Sequence, residues 1–161
     1  MSTLAYLGLG ANLGDPIQQI VDARAALARL PSTLHLRCSY FYASSPVGYD
    51  AQPDFINCVI ELATDSSAIE LLDQMQVIEK TLGRERVTCN QNAPRTIDID
   101  LLLYGDKTID MERLQVPHPR IKSRLFVLRP LLELTRLEPY RKALESGDFE
   151  GQDLTQLTIG R

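Results

Sequence analysis

The sequence has little of what commits a chain to a membrane, a disulfide scaffold or a zinc centre. No apolar run approaches the length that spans a bilayer. The opening MSTLAYLGLGANLGD puts no basic segment ahead of its apolar residues, so a secretory signal is not expected. Cys38, Cys58 and Cys89 are an odd number with no C-x-x-C spacing, which points away from a disulfide framework and from a zinc site. A reducing, cytoplasmic compartment is the expectation. Positive charge is also short: 17 Lys and Arg against 21 Asp and Glu leave a net charge of −4. That argues against nucleic acid as the main partner. The glycine pattern is incomplete as well, because GLGANLG has Leu13 where a dinucleotide fingerprint needs its third glycine. Gly8, Gly10 and Gly14 therefore read as turn positions, with a phosphate cradle as the sharper alternative.

What is present is an ordinary globular composition, 44% apolar and 24% charged over 161 residues, enough for a single domain over 1–161 with a sizeable core. Its charge is unevenly spread. Residues 80–129 hold 10 of the 17 basic and 6 of the 21 acidic residues, an excess of four positive charges in a chain otherwise acidic. Inside that stretch lies Asn92–Tyr104, NAPRTIDIDLLLY. Ile97 to Leu103 is long enough for a strand, and alternation puts Ile97, Ile99, Leu101 and Leu103 on one face. Asp98 and Asp100 then share the other face, like charges one pleat apart. A hard divalent cation such as Mg²⁺ relieves that repulsion and keeps room for phosphate oxygens. Arg95, just before the strand, suits the same phosphoryl chemistry. The competing reading is the solvated polar face of an edge strand.

The remaining elements follow from local signals. Leu4–Leu9 reads as a strand. Asp15-Pro16-Ile17-Gln18 opens a helix with Asp as N-cap, Pro in the first turn and Gln to close a capping box. It runs to about Leu30 with Ile17, Ile20, Val21, Leu27 and Ala28 inward, and Pro31 ends it. Leu34–Tyr42 alternates, with Leu34, Leu36, Cys38 and Tyr40 opposite a wetter face of His35, Arg37, Ser39 and Phe41. A loop over 44–53 precedes a strand at Phe55–Ala63, whose face Ile56, Cys58, Ile60, Leu62 is core. Phe55 and Asn57 open its other face, an aromatic beside an amide that can stack on and bond to a flat heterocycle or be plain strand surface. Ser67 and Glu70 frame a second helix carrying Leu72, Met75, Ile78 and Leu82, with Gln76 and Glu79 near that face and Gly83 as its stop. Residues 84–93, with Arg84 and Arg86, read as a mobile arm over phosphates or as a solvated loop. Gly105–Lys107 is a turn and Glu112–Val116 a short extended segment. His118, between two prolines, suits a nucleotide contact or a structural tether. Ser123 is placed to cap a helix that Pro130 interrupts, and 138–161 reads as a weakly patterned, poorly packed tail. The order β-α-β-β-α-β predicts an α+β, ferredoxin-like βαββαβ core: an antiparallel sheet with both helices on one face and the later helix on the other, three αβα layers.

Five stretches carry a family resemblance: GLGANLGD, SPVG…QPDFIN at 45–57, IEKTLGRER at 78–86, APRTIDIDLLLYG at 93–105 and VPHPRIKSRLFVLRPL at 116–131. In this order and spacing the chain resembles the 6-hydroxymethyl-7,8-dihydropterin pyrophosphokinases of folate biosynthesis over roughly residues 3–134. The resemblance implies transfer of the terminal pyrophosphate of ATP to the hydroxymethyl group of the pterin, with release of AMP and two Mg²⁺ ions as cofactors. It implies metal binding by Asp98 and Asp100, with Arg84 and Arg95 joining them as catalytic groups. It implies nucleotide contacts from Leu72, Gln76, Glu79, Arg84, Arg86, Arg95, Leu101, Arg113, Gln115, His118 and Arg124. The pterin is expected against Ser44, Pro46, Val47, Gly48, Phe55, Asn57, Asp98 and Phe126. Asn92 stands where some members have Trp, and Ser45, Phe55, Pro119 and Gln115 replace Pro, Tyr, Tyr and Thr of some members. The arm around Cys89 departs most. Partners are expected to be these small molecules alone, with no nucleic acid or membrane and a monomeric chain. The alternatives are another Mg²⁺-dependent phosphotransferase or hydrolase, and a ferredoxin-like domain that senses a metabolite.

Overall fold

A computed structural model describes residues 2–46, 52–86 and 97–160, without the side chains of 84–86. Strand β1, Thr3–Ala11, is central. It pairs antiparallel with β4, Phe55–Thr64, on one side and with β5, Asp98–Tyr104, on the other. The far edge of the long β4 receives two strands in succession, β2 at Thr33–Cys38 and β3 at Tyr42–Ser44. A short β8, Thr155–Gln156, pairs with β3, giving the order β5-β1-β4-β3-β8 with β2 also on β4. A separate ribbon joins β6, Ile109–Asp110, to β7, Gln115–Val116.

Helices α1, Pro16–Ala28, and α2, Ala68–Arg86, cover one face. Ala5, Leu7 and Leu9 of β1 bury against Ile20, Leu27, Leu71 and Met75 in this larger core. Helices α3, Leu125–Leu134, and α4, Glu138–Ser146, cover the other face, where Tyr6, Val59, Leu102 and Leu103 meet Val127, Leu128, Leu131 and Tyr140. The expected ferredoxin-like core and its third layer are both present.

Several local expectations need correction. Gly8 and Gly10 sit inside β1, and only Gly14 takes a left-handed turn conformation, at φ 64°. Asp15 caps α1 by accepting from the Gln18 amide, but the Gln18 side chain bonds Asp22 and leaves the capping box open. Ala28 is exposed, beyond the packed face of α1. The alternation over 34–42 fails twice. An irregularity between Thr33 and His35 leaves Leu34 60% exposed, and the chain breaks before β3, so Ser39 and Phe41 are buried. In β5 the register jumps from Leu7↔Leu101 to Tyr6↔Leu103. The extra residue is a bulge that turns Leu103 to the second core. Gly83 does not stop α2, which continues through Arg86; its φ is not positive, as a left-handed cap requires. Pro130 lies inside α3 without ending it, because its neighbours Val127, Leu128 and Leu131 are all held in the core. The segment after 138 is not a loose tail: α4 buries Tyr140 and β8 extends the sheet.

Candidate active site

Asp98 and Asp100 are exposed on one face of β5, opposite Gly10 and Gly8 of β1. Beyond β1, Gly10 is also level with Asn57 of β4. One row across the sheet therefore reads carboxylate, glycine, amide. A Cβ at Gly10 would lie 2.7 Å from Asn57 Oδ1, so glycine is what lets the amide lie over β1.

This row floors a cavity of about 470 Å³ between the sheet and the second helical layer. Ser44, Pro46, Phe55 and Asn57 line one side, Arg124 and Phe126 the other, with Asp98 and Asp100 at the β5 end. Asn57 is buried and donates to Ser44 Oγ at 3.4 Å. The Arg124 guanidinium lies 5.6 Å from the centre of the Phe126 ring. Burial, then the neighbouring Arg120, pull the Arg124 pKa down, and Asp100 opposes them. Arg124 thus shares the lining of this cavity with both aspartates.

A second cavity, about 340 Å³, opens on the other side of β5. Leu72, Gln76 and Glu79 of α2 line it with Leu101, Arg113, Gln115 and His118. Asp100 lines both cavities. The edge position of β5 explains its tethers: Glu79 Oε2 accepts from the Ile99 amide at 3.0 Å, and the Leu102 carbonyl accepts from the His118 amide at 2.9 Å. Arg113 bonds Asp73 at 2.6 Å and Gln76 at 3.2 Å, laying its guanidinium over the cavity. His118 Nδ1 accepts from the Arg120 amide at 3.1 Å, which assigns the ring proton of the neutral form to Nε2. Burial lowers the His118 pKa most, Asp100 raises it, and Arg124 and Arg120 lower it further, so the ring is neutral at pH 7. The tether reading of this histidine holds in its backbone, and its ring lines the second cavity.

Of the remaining expected residues, Val47, Gly48 and Arg95 lie outside the described residues, as do the side chains of Arg84 and Arg86 at the end of α2. Sequence reasoning read Gly8 and Gly10 as turn positions or a phosphate cradle; their place in the cavity floor becomes legible once β1 is set beside the aspartates. The same reasoning missed Glu150, Gln152 and Asp153, which line the larger cavity from the C-terminal segment and carry no periodic signal.

Among the described residues, no three His, Cys, Asp or Glu side chains converge as a metal cage. Two carboxylates above a floor of glycines nonetheless suit a hard divalent cation whose other ligands come from water or phosphate. The arrangement can therefore bring an anionic ligand and a flat polar ring to opposite sides of one carboxylate.

Comparison with known proteins agrees. The family profile described as 7,8-dihydro-6-hydroxymethylpterin-pyrophosphokinase (HPPK) matches residues 6–136. The chain belongs to the HPPK family. Among its relatives is the 2-amino-4-hydroxy-6-hydroxymethyldihydropteridine pyrophosphokinase of Haemophilus influenzae, 42% identical over 130 residues, 81% of this chain and 80% of the relative. The Bacillus subtilis protein of the same name is 38% identical over 151 residues, 94% of this chain and 89% of the relative. Solved structures sharing the HPPK fold include an HPPK-DHPS in complex with substrates, TM-score 0.64 at 14% identity, covering 91% of this chain and 43% of that one. Plasmodium falciparum HPPK-DHPS with pterin and p-hydroxybenzoate gives TM-score 0.67 at 15% identity, covering 90% and 43%. The chain thus spans less than half the length of these solved proteins.

Proposed function

We propose that this HPPK chain transfers pyrophosphate from ATP to 6-hydroxymethyl-7,8-dihydropterin, releasing AMP, as a step of tetrahydrofolate biosynthesis. The observation that carries the reading is the pair of cavities sharing Asp100, one aromatic and amide-lined, the other lined by Gln76, Arg113 and His118. The pterin ring occupies the larger cavity between Phe55 and Phe126, with Asn57 and Ser44 at its polar edge. ATP lies in the smaller one, its base side toward Leu72, Leu101, Arg113 and Gln115.

The reaction forms a bond from the hydroxymethyl oxygen to the β-phosphorus and breaks the bond between that phosphorus and the α,β-bridging oxygen, so AMP leaves and the alcohol proton is released. Asp98 and Asp100 would hold two Mg²⁺ ions, which when bound would neutralise phosphate charge. Arg84, Arg95 and Arg124, with Arg86 nearby, take the remaining negative charge. Neutral His118 offers its Nε2 proton to a nucleotide oxygen, and Glu79 keeps β5 aligned through Ile99. Apart from carboxylates, no His or Lys side chain among the described residues lines the acceptor cavity, so rate comes from holding the alcohol in line with phosphorus. We place the whole chain, C-terminal segment included, in one cytoplasmic, monomeric unit acting on small molecules; no helix among the described residues is long and apolar enough to cross a membrane.

Incubation with ATP, Mg²⁺ and the pterin alcohol tests this. AMP with the pterin diphosphate supports it; ADP and phosphate would favour another phosphotransferase or hydrolase, and no turnover a sensing domain.

A further inference from the structure

The C-terminal wall of the larger cavity lies beyond residue 136, where the family match ends. It is a built segment. After Gly147 closes α4, Phe149 packs against the second core. The Gln152 amide bonds back to Phe149 O at 2.9 Å around Gly151, whose φ of 81° suits glycine. Strand β8 then anchors the chain to β3.

Between those anchors, two adjacent side chains reach opposite walls. Gln152 Oε1 accepts from the Leu125 amide at 2.9 Å, and its Nε2 donates to Ser123 O at 3.0 Å. It supplies the cap that α3 gets from neither Arg124 nor Ser123, whose hydroxyl bonds Arg120 O. The capped amide is one residue before Phe126. Asp153 Oδ1 accepts from the Ser45 amide at 2.7 Å, one residue after Ser44, the partner of Asn57. That bond holds the Asp153 carboxyl below its ordinary pKa, so it is ionised at neutral pH. Asp153 is exposed, so hydrophobic burial does not account for its place.

We propose that Gln152 and Asp153 are positioning residues for the acceptor pocket, fixing the gap between the Phe126 wall and the Ser44–Asn57 wall that a flat bicyclic ring must fit. The inference rests on the reading that the pterin occupies this cavity. Calorimetric titration of the full chain with the pterin alcohol, and separately with a non-hydrolysable ATP analogue, tests it. Asp153→Ala, which loses one positioning hydrogen bond, and Gln152→Ala, which loses two, should each raise the pterin Kd about five- to tenfold. The ATP-analogue Kd should stay put, and Asp153→Asn, which keeps an acceptor oxygen, should recover most of the pterin affinity. Unchanged pterin affinity in both alanine variants, while Asn57→Ala still weakens it, would overturn the positioning role and leave the pocket assignment standing. Weakening of both ligands together with a lower melting temperature would reduce the pair to fold support. A wild-type chain that does not bind the pterin would overturn both readings.

Discussion

Asp98 and Asp100 face the same side of β5 opposite glycines, and replacing either would remove a carboxylate proposed to hold the Mg²⁺ that neutralises the reacting phosphates. Ala at either position should cost at least about 3 kcal/mol in transition-state stabilisation, roughly a hundredfold in kcat/KM. Near-normal steady-state rates in both variants at saturating Mg²⁺ would defeat the metal assignment. Gly10→Ala tests the acceptor side without touching a polar group. Its new methyl meets Asn57 Oδ1 at 2.7 Å and pushes the amide away, so pterin binding should weaken by roughly 1–3 kcal/mol, read by calorimetry. A residue outside the lining of both cavities contributes to acid stability. Glu61 is buried in β4, bonded to Arg37 at 2.8 Å and to the Tyr6 hydroxyl at 2.7 Å. The Arg37 bond does most to lower its pKa. Its folded pKa lies below the unfolded one, so its contribution is complete above about pH 4.5 and is lost as pH falls through the folded value. Because Arg37 is half-exposed, Glu61→Gln should destabilise by only about 1–2 kcal/mol at pH 7. The gap from wild type should narrow below pH 4.5 in urea melts; a gap that widened on acidification would reverse the sign.

At the level of elements, legibility tracked the clarity of the period. Ile56, Cys58, Ile60 and Leu62 alternate cleanly and are all buried, so β4 and its Phe55–Asn57 pair could be read directly. The β5 aspartates were readable for the same reason, whereas Leu103 was not, because a bulge is set by pairing with Tyr6 and leaves no trace in composition. The glycines of β1 misled: the missing side chain of Gly10 answers a cross-strand neighbour, Asn57, which only the sheet order reveals. Helix α4 carried a faint signal in Pro139, Tyr140, Ala143 and Leu144, outweighed by its charged surroundings. Gln152 and Asp153 were beyond sequence reasoning, since each acts on a backbone amide distant in the chain. Helix α2 offers a direct test of the Gly83 correction. A Cβ at Gly83 meets nothing within 4 Å, so Gly83→Ala should stabilise the protein by about 0.5–1 kcal/mol in chemical denaturation. A loss of stability would mean that the helix ends at Gly83 in solution.

Over the whole molecule, charge and topology divide the work. The four-charge positive excess of residues 80–129 brackets the aspartates along the sequence of a chain of net charge −4. Affinity for an ATP analogue should therefore fall several-fold between about 0.05 M and 0.5 M salt, where the screening length shrinks below the spacing of exposed charges. Affinity for the uncharged pterin should hardly move, and titration of both ligands in the two buffers checks the contrast. Equal salt dependence would show that the cationic stretch acts on the fold and not on phosphates. Asp100, finally, stands in the wall between the chambers and belongs to each. Whatever binds against it from one side alters the field met by a guest on the other, so the two occupancies form a single thermodynamic cycle. The cycle is reciprocal: the factor by which bound nucleotide changes pterin affinity equals the factor by which bound pterin changes nucleotide affinity. One measured coupling free energy then gives the other, whichever guest arrives first.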